Sequence, residues 1–432
     1  ANSSNFTGNV AIREGQILMD SSNGSDRAGG IGQVTNISID SALVAKSAST
    51  PILYYSARSG ANDALNDNAV ITLARGQLTL QSATASTETV GRIDVQGAGI
   101  LKLTDGTLGT FTLGDATQGL TRVTNGTLHV VTAADGTMKT TVKVANAGTL
   151  AVDTLLPWIS TSQGQFMKLD SANGNALTTV AADTADLNLA NWTAYSSSTN
   201  LRVTGALTGT LSANTAVNSL GFSAASTLDL GGNTLNVASG GLSSVSGTAV
   251  LTNGSLTSDA SAIYLNSGAI SGELTVGAVI SGDVDVVKSG FSTATLSGTN
   301  SNTYTGTTYV NYGQFYLAKG GTAVAVPGDL VVRNGGAVLV RTNTTGQFGA
   351  SSSVSADNSY IKVDANALMN VGGTLTLDNA YLEVSYNTAA TNMLRLTGAG
   401  TGFAFNGGAV QHNATIDGTM SLLTDVGYGS AS

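Results

Sequence analysis

The chain has 432 residues, of which 41% are apolar, 10% are charged and 54 are glycine, with 3 prolines and no cysteine. A formal net charge of −9 with scattered lysines and arginines leaves no basic stripe to track a phosphate backbone, so nucleic acid is not an expected partner. Normal apolar content excludes a charge-rich disordered chain, the missing cysteines exclude a disulfide framework or thiolate metal site, and no apolar run reaches the length of a membrane span.

The sequence opens ANSSNFTG, without a charged and then hydrophobic leader, so either a removed signal or an excerpt of a longer polypeptide is expected. Short alternating segments follow. Val70, Thr72 and Leu73 lead into Leu78 and Leu80, and Ile93 and Val95 into Leu101 and Leu103, the pattern of strands rather than helices. Asn125-Gly126 precedes Thr127 to Val130, and Asn253-Gly254 precedes Ser255-Leu256, where a positive φ costs least. A unit Gly-Thr-Leu-x-Val/Leu recurs at Gly126 to Val130, Gly148 to Val152 and Gly373 to Leu377, with looser copies at Gly272 to Val276 and Gly313 to Leu317.

Three prolines leave almost every N–H free to join a ladder, and no composition shift marks the 100-residue boundaries a sandwich array requires. The expected fold is therefore all-β, a parallel β-solenoid. At roughly 20 to 25 residues per coil and about 4.8 Å per rung it makes a rod on the order of 90 Å long. The predicted organisation is a first solenoid segment over 1–154, an irregular protruding segment over 155–200, and a second solenoid segment over 201–432 continuous with the first. The middle segment holds Pro157 and both tryptophans, Trp158 and Trp192, which read either as covers for an interrupted core or as a sugar-stacking platform.

The stretch from Ile280 to Leu317, ISGDVDVVKSGFSTATLSGTNSNTYTGTTYVNYGQFYL, resembles the autotransporter-associated β-strand repeat of bacterial surface proteins. The likeness runs through Lys288, Gly290, Leu296, Ser297, Gly298, Asn302, Tyr304, Thr305, Gly306, Thr308, Val310 and Gly313, with Phe315 where leucine is usual. SNFTGNVAIREGQILM, from Ser4 to Met19, aligns without a gap to Asn302 through Leu317, so Gly15 and Gly313 correspond at an offset of 313 − 15 = 298. Asn218 to Gly241 and the Pro157-Trp158 segment resemble material that accompanies such repeats. The resemblance implies a right-handed parallel β-helix exported to the bacterial surface as an adhesin or fibre, with no catalysis. The chain departs from that family at its end, LLTDVGYGSAS, which has none of the amphipathic strands of a translocator barrel.

Catalytic motifs are scarce. No G-x-S-x-G string occurs, and the two histidines, His129 and His412, read as surface or turn residues rather than bases or zinc ligands. Gly29-Gly30-Ile31-Gly32 lacks the aspartate of a calcium-binding nonapeptide. Asp63, Asp67, Arg75 and Arg92 are the residues a lyase-like β-helix enzyme would draw on, and solvated turn charges explain them equally well. The expectation is a secreted, non-catalytic structural protein without cofactor or metal, which self-associates end to end or laterally into a cell-surface fibre, filament or sheath. The rival is a glycan- or surface-binding adhesin, with Trp158, Trp192, Tyr304, Tyr309 and Tyr312 as stacking residues.

Overall fold

The computed structural model describes residues 7–20, 33–40, 50–57, 65–82, 87–103, 109–133, 135–182, 194–268, 271–333, 335–341, 346–365, 367–385, 394–397, 402–413 and 423–424. The chain forms two compact units that divide at residues 181 and 182. Both are parallel β-solenoids, about 14 turns in all. Apart from the 3-10 turn Ser171–Asn173, every regular element among the described residues is a strand, as the alternation and the scarcity of proline predict.

In unit 1 the strands Val10–Ile12, Asn36–Asp40 and Val70–Ala74 stack in parallel on one face of the coil and continue into Arg92–Lys102 and Leu120–Val131. Their inward row reads Val10, Ile37, Ile71, Ile93, Leu120, and a second face stacks Ile17, Leu53, Leu78, Leu101, Val130. Such rows are the core, and each buried Val, Leu or Ile contributes roughly 1.5–3 kcal/mol. Coil length varies widely, from 71 − 37 = 34 residues between Ile37 and Ile71 to 93 − 71 = 22 between Ile71 and Ile93. In Val70–Ala74 it is Ile71 and Leu73 that face inward, while Val70 and Thr72 are half-exposed. The inward parity is thus one residue away from a reading centred on Val70 and Thr72, because a one-residue slip exchanges the two faces of a strand.

Unit 1 closes with a reversal. Leu156–Thr161 adds in parallel to Leu120–Val131, Phe166–Asp170 then runs back antiparallel to it, and Ala176–Thr179 pairs antiparallel with both Phe166–Asp170 and Thr141–Val144. Residues 155–182 of the stretch expected to be irregular are therefore an ordered antiparallel cap. Five of the six residues of Leu156–Thr161 are buried, and a strand covered on both faces loses the alternation that would reveal it. Residues 183–193, with Trp192, lie outside the described residues.

Unit 2 is more regular. One inward row runs Leu201, Leu220, Leu242, Leu265, Lys288, Val310, Val332, Ala356, Leu377, Phe405. Its coils range from 220 − 201 = 19 to 405 − 377 = 28 residues, close to the expected length. A second face stacks Leu228, Leu251, Val276, Leu296, Leu317, Val340, Val363 and Val384, and a third carries Leu235, Leu256 and Ile280. The two sequence copies occupy equivalent places in their coils. Val10, Ile12, Ile17 and Met19 in unit 1 stand on inward rows, as do Thr308, Val310, Phe315 and Leu317 in unit 2. Their corresponding glycines, Gly15 and Gly313, turn the corner at φ of 73° and 71°.

Candidate functional site

Of the residues that carry the repeat resemblance, Lys288, Asn302, Tyr304 and Thr308 are buried inside the coil, while Gly298 and Thr305 are exposed. Lys288 occupies the inward row between Leu265 and Val310, where a cation is costly unless its donors are satisfied. Its Nζ donates to the carbonyl oxygens of Ser289 at 2.6 Å, Gly290 at 3.0 Å and Tyr312 at 3.0 Å, so the ammonium clamps a corner. Burial holds its pKa well below the ordinary lysine value. Asn302, also buried, joins three successive coils: its Oδ1 accepts from the Ile280 N–H at 3.0 Å and its Nδ2 donates to the Ala325 carbonyl at 2.8 Å. Tyr304 and Thr308 share a hydroxyl hydrogen bond of 2.6 Å, and burial raises the tyrosine pKa.

Lys319 repeats the clamp one corner on, with its Nζ donating to the Ser297 carbonyl at 2.8 Å. Burial brings its pKa down to about 8. Gln347 brackets the Lys319 backbone from the next coil, accepting from its N–H at 3.2 Å and donating to its carbonyl at 2.9 Å. In this stretch the polar residues serve as internal brackets between coils.

The proposed stacking aromatics are not gathered into one face. Trp158 is buried in the cap of unit 1 at 5% exposure, with the Arg122 guanidinium 5.5 Å from its ring centroid. Tyr304 is buried in unit 2 at 1% exposure. Neither ring presents an open face, because both are used as core. Tyr309 and Tyr312 are half-buried. Arg333 lies 5.0 Å over Tyr309, and Tyr312 packs edge-on against Phe291 at 4.8 Å. A further stack, Arg341 at 4.4 Å over Tyr316, was not singled out in the sequence. Its only signal is an arginine one coil after a strand tyrosine.

Asp63, first of the lyase-like set, lies outside the described residues. Asp67 is exposed, Arg75 stands in a left-handed conformation at φ 63°, and Arg92 Nε donates to Asp94 at 2.9 Å, with Asp115 3.8 Å away. Asp94 also accepts from the Thr121 hydroxyl. Hydrogen bonds from Thr117 bring the Asp115 carboxyl down to about 2, so this cluster is a set of turn braces. His129 is buried in Leu120–Val131 rather than on the surface, because its strand is covered on both faces there. The backbone of His412 belongs to the strand Phe403–Asn413, and its side chain lies outside those described. Among the described residues no group of three or more His, Cys, Asp or Glu could hold a metal ion, and no helix is long and apolar enough to cross a membrane.

A polar line crosses the outer face of unit 2 where sequence reading pointed to nothing. Arg341 meets Asp364 at 2.9 Å, Asp364 meets Lys362 at 3.5 Å, and Lys362 meets the buried Glu383 at 3.8 Å. Tyr360 donates to Glu383 at 2.6 Å, and burial together with that bond raises the tyrosine pKa. Because Lys362 and Glu383 are in register on adjacent strands, the line reads as cross-coil pairing.

The most informative surface is at the open ends of the stacks. Five large apolar side chains are exposed among the described residues, and four belong to the first coil of unit 1 or the coil of Phe403–Asn413 in unit 2: Ile17 at 37%, Leu18 at 55%, Phe403 at 38% and Phe405 at 45%. Ile17, Phe403 and Phe405 stand on inward rows whose members in the neighbouring coils, Leu53, Leu375 and Leu377, are fully buried. They are core positions over which no further layer lies among the described residues. The chain matches no protein-family model, no curated protein and no solved structure.

Proposed function

We propose that this chain is a non-catalytic, extracellular structural protein of the bacterial surface, a β-solenoid that forms or extends a fibre, filament or sheath by end-to-end stacking. The observation that carries the reading is the exposure of the inward-row residues Ile17, Phe403 and Phe405 on Gln16–Asp20 and Phe403–Asn413. A solenoid needs a polar or structured cap to stop growth, and among the described residues of unit 1 the antiparallel strands from Leu156 to Thr179 are such a cap. The autotransporter-associated repeat resemblance supports the same reading, since Lys288, Asn302 and Tyr304 each donate to a carbonyl of the next coil. A cysteine-free composition with few basic residues suits an exposed, protease-rich exterior.

Electron microscopy of the purified chain, with antibody labelling of intact cells that carry it, tests the proposal. Labelled surface fibres with a roughly 4.8 Å axial repeat are expected. Absence of label from the cell surface would remove the extracellular role. Isolated rods on labelled cells would turn the reading towards an adhesin stalk, for which Trp192→Ala on a glycan array is the next measurement.

A further inference from the structure

The first coil of unit 1 and the last coil of unit 2 have the same footprint. In the first, inward positions are Val10, Ile12 and Ile17; in the last, they are Phe403, Phe405 and Val410. The offsets agree throughout: 403 − 10 = 405 − 12 = 410 − 17 = 393. The last coil turns on two left-handed glycines, Gly407 at φ 88° and Gly408 at φ 92°, and Gly15, at φ 73°, lies at the same offset from the second. Two coils with this spacing already stack in straight register within unit 2, where Val354, Ala356 and Ile361 meet Leu375, Leu377 and Leu382. That second coil in turn carries Phe403, Phe405 and Val410.

From this we infer that Val10–Asp20 of a second copy continues the ladder of Phe403–Asn413 in parallel, with Val10 over Phe403, Ile12 over Phe405 and Ile17 over Val410. The inference rests on the stacking solenoid proposed above and names its partner and register. Seating the coil covers Phe403, Phe405 and Ile17 with core neighbours and pairs two free strand edges. The charges match as well. An outward row of unit 2 reads Arg333, Asp357, Asp378, Asn406, and the offset sets Arg13 of the incoming copy next on it. Asn406 then separates Arg13 from Asp378, so the cation adds a weak, salt-screened attraction to the row rather than a direct pair such as Arg333 with Asp357. The contact joins two different surfaces, so it is heterologous, and each copy added leaves one surface of each kind for the next.

The test uses the full chain. Ile17→Lys blocks one end and Phe405→Lys the other, both at positions already more than a third exposed. By light scattering and electron microscopy each variant alone should stay monomeric with a wild-type circular dichroism spectrum. An equimolar mixture should stop at dimers, since one free end of each kind remains. The cysteine-free background allows a register check: A11C/A404C places cysteines opposite each other within disulfide reach and should give an intermolecular ladder on a non-reducing gel, whereas A11C/N406C should not. Gly15→Ala is a second block, because Gly15 has nothing within 4 Å of an added Cβ in the single chain, while a Cβ on its counterpart Gly313 meets the carbonyl of the preceding coil at 2.4 Å. Fibres that persist in both lysine variants without the A11C/A404C ladder overturn this register and leave the structural reading standing. A wild-type chain that stays monomeric at every concentration overturns the inference, while surface labelling still decides the function.

Discussion

Units 1 and 2 are both parallel solenoids built on rows of Val, Leu and Ile, yet they reach order by different means. Unit 1 has coils of uneven length and ends in an antiparallel hairpin that turns hydrogen-bonding edges back on themselves. Unit 2 keeps nearly constant coils and ends on an edge with Phe403 and Phe405 uncovered. Regularity and openness go together for a physical reason: a row that repeats without change has no feature that makes any one layer the last. Termination requires an irregular element, and unit 1 supplies it with Leu156–Thr179.

The two units differ most at the left-handed corner glycine of the two sequence copies. Gly313 and Gly15 have nearly the same φ, so alanine at either incurs left-handed strain of roughly 1–2 kcal/mol. At Gly313 the added Cβ also falls 2.4 Å from the Gly290 carbonyl oxygen and 2.7 Å from that of Ser292. Backbone cannot yield there without parting two coils. Gly313→Ala should therefore lose more than about 4 kcal/mol, whereas Gly15→Ala should lose only the strain. Urea denaturation of both variants checks this, and equal losses would mean that Gly15 already packs against another layer.

Next in size is Asn302→Ala, which removes the acceptor from the buried Ile280 N–H and one donor from the Ala325 carbonyl. The carbonyl keeps a long bond from Tyr304 at 3.4 Å, so the orphaned N–H dominates and the loss should be about 1–3 kcal/mol. A loss that small would show unit 2 held chiefly by its rows, with the brackets setting register.

Much of this was legible in the sequence and some was not. The all-β solenoid follows from alternation, turn residues and repetition, and the gapless match of two segments placed Gly15 and Gly313 in equivalent corners. What the sequence concealed is set by neighbours distant in the chain. Nothing local distinguishes Lys288, on an apolar row with three carbonyl acceptors, from a solvated lysine. Trp158 reads as the cover of an interrupted core or a sugar platform and Tyr304 as a surface stacking residue, and tertiary burial puts both in the core. The cap escaped notice because its first strand is covered on both faces and pairs with a reversed partner.

The lysine clamps give unit 2 a pH dependence of determinable sign. Lys319 has a folded pKa of about 8 against an ordinary value of 10.5. Between those values the unfolded chain binds more protons than the folded one, so stability rises with pH across that window. Lys288, also depressed by burial, contributes in the same direction. Tyr304 and Tyr360 have raised pKa values and oppose the rise above about pH 10. Urea midpoints measured from pH 7.5 to 10 should therefore climb in the wild type, and climb less in Lys319→Met. An unchanged slope in the variant would mean that the Lys319 ammonium is not desolvated by the coil.

The smallest effect belongs to the outer face. Arg341→Ala removes the stack on Tyr316 and the 2.9 Å ion pair with Asp364. Both contacts are partly solvated, and an exposed cation–π contact or ion pair is worth only about 0.5–1 kcal/mol. The loss should stay near 1 kcal/mol and shrink in high salt, because the ion pair is screened while the stack and the inward rows are not. A markedly larger loss would place part of the cohesion of unit 2 in the line from Arg341 through Asp364 and Lys362 to Glu383, and the outer face would then count as a second source of order beside the rows.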